Sequence, residues 1–170
     1  MKKFILIVVS IIVFTGIGSA QKFGFIDTEY IMSNIPEFTA VQEQLDELSS
    51  QYQEELETIY AEIEQLYQNY QTESASLSED MKRRREDVII TKEKDYKQLQ
   101  SKYFGPNGDL FTKRQSLIQP IQDNISNAVQ QIADEGSYAT IFDKAGNAAL
   151  FYTNPRYDLS DQVLQKLGYK

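Results

Sequence analysis

Between Pro36 and Gly105 the chain runs 68 residues without a glycine or a proline. These two residues are the usual helix punctuators. A helically periodic run of that length cannot be one compact globular helix. It predicts a long helix, a reversal and a second long helix, an arm standing away from a small body. Apolar residues at 41, 45, 48, 52, 56, 59, 63, 66 and 70 step by three and four, which draws one stripe along a helix. The double four-residue step at Leu48, Tyr52 and Leu56 departs from a strict heptad, so a coiled coil should unwind there. At about 1.5 Å per residue the first arm helix is about 55 Å long.

Charge supports a fold-back. Residues 37 to 73 carry ten acidic and no basic side chains, whereas residues 79 to 102 carry eight basic and six acidic ones. Antiparallel pairing brings the two together, and the asymmetry sets orientation although each exposed pair is weak. The reversal is expected at residues 74 to 78, with Ser76 and Glu79 as a capping box for the returning helix. A basic tip, Lys82, Arg83, Arg84 and Arg85, follows it. Gly105-Pro106-Asn107-Gly108 interrupts the return, either as a hinge within the arm or as a passive break. Helix resumes near Asp109 and ends near Glu135, with Pro120 expected to kink or restart it and Gly136 to stop it.

Short strands flank the arm. Residues 22 to 27 place Phe23 and Phe25 on one face and Gly24 and Ile26 on the other. Residues 138 to 143 and 148 to 153 read as a hairpin around Lys144-Ala145-Gly146-Asn147, and residues 161 to 167 as a short last helix before Gly168. The fold class is therefore mainly α with a small β part. Residues 22 to 36 and 136 to 170 form the body, and 37 to 135 the arm. Three short strands make a marginal sheet with little core of its own, so an oligomer that pools strands is expected.

Residues 1 to 20 look like a signal peptide: Lys2 and Lys3, an apolar stretch from Phe4 to Ile17, then Gly18-Ser19-Ala20. Removing Lys2 and Lys3 from 17 basic residues leaves 15 against 25 acidic ones, a net charge of −10. That disfavours nucleic acid as a partner. The chain has no cysteine and no histidine, which excludes disulfides, Cys and His nucleophile pairs and His-based metal sites. No nucleotide loop or cofactor motif is present. The expectation is a non-enzymatic protein without catalytic, cofactor or metal residues.

The order of features resembles the Skp family of periplasmic chaperones, also called the OmpH family. The resemblance rests on Phe23-Gly24-Phe25-Ile26-Asp27-Thr28 after the signal peptide, the long hairpin, Leu117-Ile118-Gln119-Pro120-Ile121, Ala128-Val129-Gln130-Gln131-Ile132-Ala133, and Tyr138-Ala139-Thr140-Ile141-Phe142-Asp143. It covers essentially the whole mature chain. It implies a periplasmic homotrimer whose strands close a central β-barrel, with Phe23, Phe25, Ile141 and Leu150 as candidates for the trimer core. It also implies three helical arms that hold unfolded outer-membrane proteins without ATP.

The acidic first helix departs from the basic members of that family, so apolar and aromatic contact becomes the expected grip. Tyr60 and Tyr67, one position off the stripe, are candidates for client contact, with Leu77 and Met81 near the tip. The basic tip could alternatively meet lipopolysaccharide phosphates or a membrane surface. A structural coiled-coil spacer or adaptor of the envelope, with no client binding, is the competing reading.

Overall fold

The computed structural model describes residues 21–146 and 150–169. The expected signal peptide lies outside the described residues. In chain order the elements are β1 (Lys22–Ile26), α1 (Thr28–Ser33), α2 (Pro36–Glu73), a 3-10 turn (Ser74–Ser76), α3 (Glu79–Phe104), α4 (Asp109–Gly136), β2 (Tyr138–Asp143), a second 3-10 turn (Pro155–Tyr157) and α5 (Ser160–Leu167). The described residues divide into two compact units, one from Met32 to Ile125, the other those before Met32 together with those from Ser126 onward.

In the first of these, Pro36 begins α2 at a position where a missing N–H costs nothing. α2 and α3 pack on each other, with Leu56 and Ile63 of α2 and Ile89 and Tyr103 of α3 buried; Leu45, further back on α2, is buried as well. Ser78, rather than Ser76, caps α3: its Oγ accepts from the Met81 N–H at 3.4 Å. The later serine has the extended backbone a cap requires, whereas Ser76 still belongs to the 3-10 turn. Three hydrogen bonds across the hairpin join a tyrosine hydroxyl to a glutamate: Tyr67 to Glu93 at 2.9 Å, Tyr103 to Glu55 at 2.7 Å, and Tyr70 to Glu86. Arg85–Glu73 at 2.9 Å and Lys92–Glu62 at 2.7 Å are the salt bridges that the charge asymmetry called for.

Tyr52, at the double four-residue step, stacks on Tyr103 with ring centroids 3.8 Å apart and an interplanar angle of 4°. The hydrogen bond to Glu55 is the largest cause that pushes the Tyr103 phenol up to about 12. Beside it the chain turns tightly: Gly108 N–H donates to Gly105 O at 2.9 Å. A Cβ on Gly105 would lie 2.3 Å from Ser101 O, and one on Gly108 would lie 2.7 Å from Lys102 O. Both glycines are demanded by close backbone approach. α4 then runs through Pro120 without a restart.

The other unit is built on two parallel strands. β1 pairs with β2 in the register Phe23–Thr140, Gly24–Ile141, Phe25–Phe142 and Ile26–Asp143. The second edge of β1 is met at Asp158, and the Leu159 N–H donates to Phe25 O at 2.7 Å. The expected hairpin is therefore corrected. Residues 150–153 form no strand: the chain there leads through the Pro155–Tyr157 turn to Asp158 on β1 rather than pairing with β2; residues 147–149 lie outside the described residues. Leu150 is half-buried and outside the sheet. The core comprises Ile26, Ile31, Ala128, Ile132, Leu159, Val163 and Leu164.

α1 was not expected from the sequence. Its signal is Asp27, whose Oδ1 accepts from the Tyr30 N–H at 3.0 Å as an N-cap does. Gly136 is the last residue of α4 rather than its left-handed stop, and Ser137 takes the positive φ of 53°. Glycine is needed at 136 for space, since a Cβ there would lie 2.3 Å from the Tyr138 ring. Gly168, with φ 88°, ends α5 in the left-handed manner.

A polar lock ties the strand ends together. Lys144 Nζ lies 2.7 Å from Asp158 Oδ2 and 3.8 Å from Asp27 Oδ2. Asp158 Oδ1 accepts from both the N–H and the hydroxyl of Ser160, and Ser160 Oγ accepts from the Asp27 N–H. Asp143 accepts from the Thr28 N–H and hydroxyl. Burial alone would raise the Asp158 pKa, but the hydrogen bonds from Lys144 and Ser160 outweigh it and hold the carboxyl below its ordinary 3.8. The bond to Asp158 raises Lys144 above 10.5.

The lowered carboxylate stabilises the fold above pH 3.8, and that contribution disappears as pH falls through the lower folded value. The raised lysine contributes fully below pH 10.5 and is lost as pH rises through its folded value. Asp158→Asn should thus cost about 1 kcal/mol at neutral pH. The difference from wild type should shrink towards zero as pH falls below the carboxylate range. Hydrogen exchange of the Asp27 and Leu159 amides measures it; a difference independent of pH would contradict the lock.

Candidate binding surfaces

β1 and β2 alternate, so each presents a face on either side. Gly24 and Ile26 are buried, and their face also carries Ile141, the partner of Gly24. The opposite face carries Phe23, Phe25 and Phe142. Phe142 lies 6.4 Å from Phe23 and 5.8 Å from Phe25, ring centroid to centroid. Phe23 and Phe142 remain exposed, and Phe25 is half-buried. Beside them a cavity of about 580 Å³ is lined by Gln21, Lys22, Phe23, Phe25 and Tyr157. Phe151 is 97% and Tyr152 79% exposed. Of the four core candidates read from the sequence, Phe23 and Phe25 share this aromatic face, whereas Ile141 points to the other side and Leu150 lies off the sheet. Phe142 was missed because no register could be assigned before the parallel pairing was known.

On the α2–α3 hairpin, Gln53, Leu56, Glu57 and Tyr60 recur at i, i+3, i+4 and i+7, and Tyr96, Gln100 and Phe104 at i, i+4 and i+8. Each set occupies one helix face. Together they line a groove of about 450 Å³. The rings of Tyr60 and Tyr96 lie 6.1 Å apart at 52°, and Phe104 meets Tyr52 edge-on at 6.2 Å. Tyr60 is 52% exposed. Tyr67 is exposed too, but its hydroxyl is engaged with Glu93. Tyr96 and Phe104 were not singled out from the sequence, although their four-residue spacing with Gln100 would have placed them on one face.

At the turn Leu77 is half-buried and Met81 exposed. Lys82 pairs with Glu79 at 2.8 Å and Arg85 with Glu73 at 2.9 Å. Arg83 and Arg84 are exposed and have no ion-pair or hydrogen-bond partner among the described residues. Among the described residues no cluster of three or more His, Cys, Asp or Glu side chains could hold a metal ion, and no helix is long and apolar enough to cross a membrane.

A long antiparallel helical hairpin combined with a small parallel strand pair carrying an aromatic face defines a mainly helical class with little β structure. Residues 22–167 match the family described as Outer membrane protein (OmpH-like), and the chain belongs to that family, the one its sequence resembles. Among solved structures it is similar to a candidate outer membrane chaperone (OmpH-like) from Caulobacter crescentus CB15. The TM-score is 0.70 at 13% identity, over 88% of this chain and 85% of that one. At that identity the likeness concerns the fold. No curated protein matches the chain.

Proposed function

We propose that this protein is a periplasmic, ATP-independent holdase chaperone that binds unfolded outer-membrane proteins, and that it works as a homotrimer. In this reading residues 1–20 direct export and are removed. The aromatic faces of three chains, led by Phe23 and Phe25 and joined by Phe142, pack into a shared β core. The three helical hairpins enclose a cavity for one client. Membership of the OmpH-like family and the fold shared with the Caulobacter protein support the chaperone role.

The observation that carries the reading is apolar surface left uncovered on both units of a single chain. In the strand unit it is Phe23, Phe142, Phe151 and Tyr152, and in the hairpin it is the groove around Tyr60. Large exposed aromatic patches mark interaction surfaces. Two separate patches suit two tasks, self-association and client contact. Many weak apolar contacts inside an enclosure give avidity and still allow release, and client folding into the membrane provides the driving force without a nucleotide.

The test is aggregation of an outer-membrane β-barrel protein diluted from urea. The mature chain should suppress light scattering at about one trimer per client. An envelope spacer would leave scattering unchanged and would instead bind one fixed partner.

A further inference from the structure

The groove on the hairpin has a chemistry more specific than apolar contact. Its floor and walls are Leu56, Tyr60, Tyr96 and Phe104; its polar lining is Gln53, Gln100 and Glu57. No cation lines it. Lys94 and Lys97, close to Tyr96 in sequence, line a different groove on α3 with Ile90, Glu93, Gln98 and Ser101. Along α2 the carboxylates of the neighbouring Glu54, Glu57 and Glu64 are without an ion-pair or hydrogen-bond partner among the described residues. The α2 segment as a whole holds ten acidic and no basic side chains.

The tyrosines of the hairpin separate in the same way. Tyr67, Tyr70 and Tyr103 each donate to a glutamate of the facing helix. Among the described residues the hydroxyls of Tyr60 and Tyr96 have no partner. The first three hold the hairpin together. The groove pair keeps both ring surface and donor free for something else.

We infer that this groove receives an extended peptide segment in which an aromatic or aliphatic side chain stands next to a lysine or arginine. The inference rests on the holdase reading and names the class of segment it selects. About two turns of each helix line the groove, or roughly 10–12 Å at 1.5 Å per residue. An extended chain crosses that length in about three to four residues, with alternate side chains facing opposite ways. One apolar side chain can lie against the touching rings of Tyr60 and Tyr96, where stacked or edge-on contact is favoured. Gln53 and Gln100 offer amides that can both donate to and accept from the peptide backbone whatever its sequence. Glu57 at the groove, backed by Glu54 and Glu64, attracts a flanking cation and repels a flanking carboxylate. Preference between peptides then comes from an unfavourable contact as well as a favourable one. An Arg or Lys can gain further by lying over an exposed tyrosine face.

The experiment uses the mature chain and three fluorescent six-residue peptides that share one aromatic residue and differ only in their flanks: two lysines, two glutamines or two glutamates. Anisotropy titrations should rank lysine above glutamine above glutamate, with about three- to tenfold steps at low salt that narrow at 0.5 M NaCl. Glu57→Gln should reduce the lysine preference at least twofold and leave the glutamine peptide unchanged. Tyr60→Ala should weaken all three peptides together.

Equal affinities, or a preference for the glutamate peptide, would overturn the inference. So would Tyr60→Ala binding all three as wild type does, because the segment would then sit elsewhere. Suppression of barrel-protein aggregation is measured in parallel. A chain that suppresses aggregation but shows no ranking loses the groove assignment and keeps the holdase function; a chain that does neither loses both.

Discussion

Phe25→Asp is expected to convert the protein to a monomer. Phe25 lies on the aromatic face of β1, 5.8 Å from Phe142, on the side not covered by Gly24, Ile26 and their neighbours. Burying a phenylalanine side chain contributes about 1.5–3 kcal/mol, and an aspartate in its place leaves an unpaired charge in an apolar interface. The penalty acts in every chain at once, so a trimer loses at least about 5–9 kcal/mol. At micromolar concentration that is sufficient to empty the assembled state. Sedimentation velocity reads the result directly. The hairpin has its own buried residues, Leu45, Leu56, Ile63, Ile89 and Tyr103, so most of the helical circular dichroism should survive. Ile141→Asp is less informative, since Ile141 sits on the inner face and the change would damage folding of the unit. If the Phe25→Asp protein keeps the wild-type mass, the aromatic face is not the site of self-association.

The second large effect is expected at Ile89. α3 has 26 residues, and Ile89 and Tyr103 are the two among them that are buried. The rest of its hold on α2 is the tyrosine–glutamate hydrogen bonds, the ring contacts of Tyr96, Tyr103 and Phe104, and exposed pairs such as Lys92–Glu62 and Arg85–Glu73; each exposed pair is worth less than about 1 kcal/mol. Ile89→Ala should therefore remove about 2–4 kcal/mol, the lost transfer energy plus the cavity left behind. The outer part of the hairpin should open first. Hydrogen exchange should show protection lost along residues 79–95, with β1 and β2 protected as before. Equal loss of protection in the strands would mean that the chain unfolds as one body.

The sequence displays the hairpin because helices are local. The three- and four-residue steps along residues 41 to 70, the Ser74–Ser78 reversal and the acidic-to-basic switch are each readable from near neighbours, and α2 and α3 end within a few residues of those signals. Strand pairing is not local. Leu150-Phe151-Tyr152 has strong β preference, yet it does not pair with β2, whose second edge carries no strand among the described residues. β1 gives one edge to β2 and the other to Asp158, and neither choice leaves a trace in residues 150–153. The six residues of α1 are too few to show a helical stripe, and Asp27 as its cap was the only signal.

The binding surfaces were legible in the same proportion. Tyr60 stood out because it falls beside the stripe. Tyr67 has the same position in the pattern, but Glu93 across the hairpin engages its hydroxyl, a contact between residues 26 positions apart. Tyr96 and Phe104 gain their meaning only from α2 opposite them. The polar lock likewise joins Lys144 to Asp158 and Asp27, and Asp27 alone is more than a hundred residues away in sequence.

The central claim is that three copies of this chain act as one holder of an unfolded client. Multi-angle light scattering on the mature protein, alone and after mixing with a urea-diluted outer-membrane β-barrel protein, tests it most directly. The account predicts the mass of three chains alone and of three chains plus one client after mixing. A single-chain mass that does not change when the client is added would contradict it.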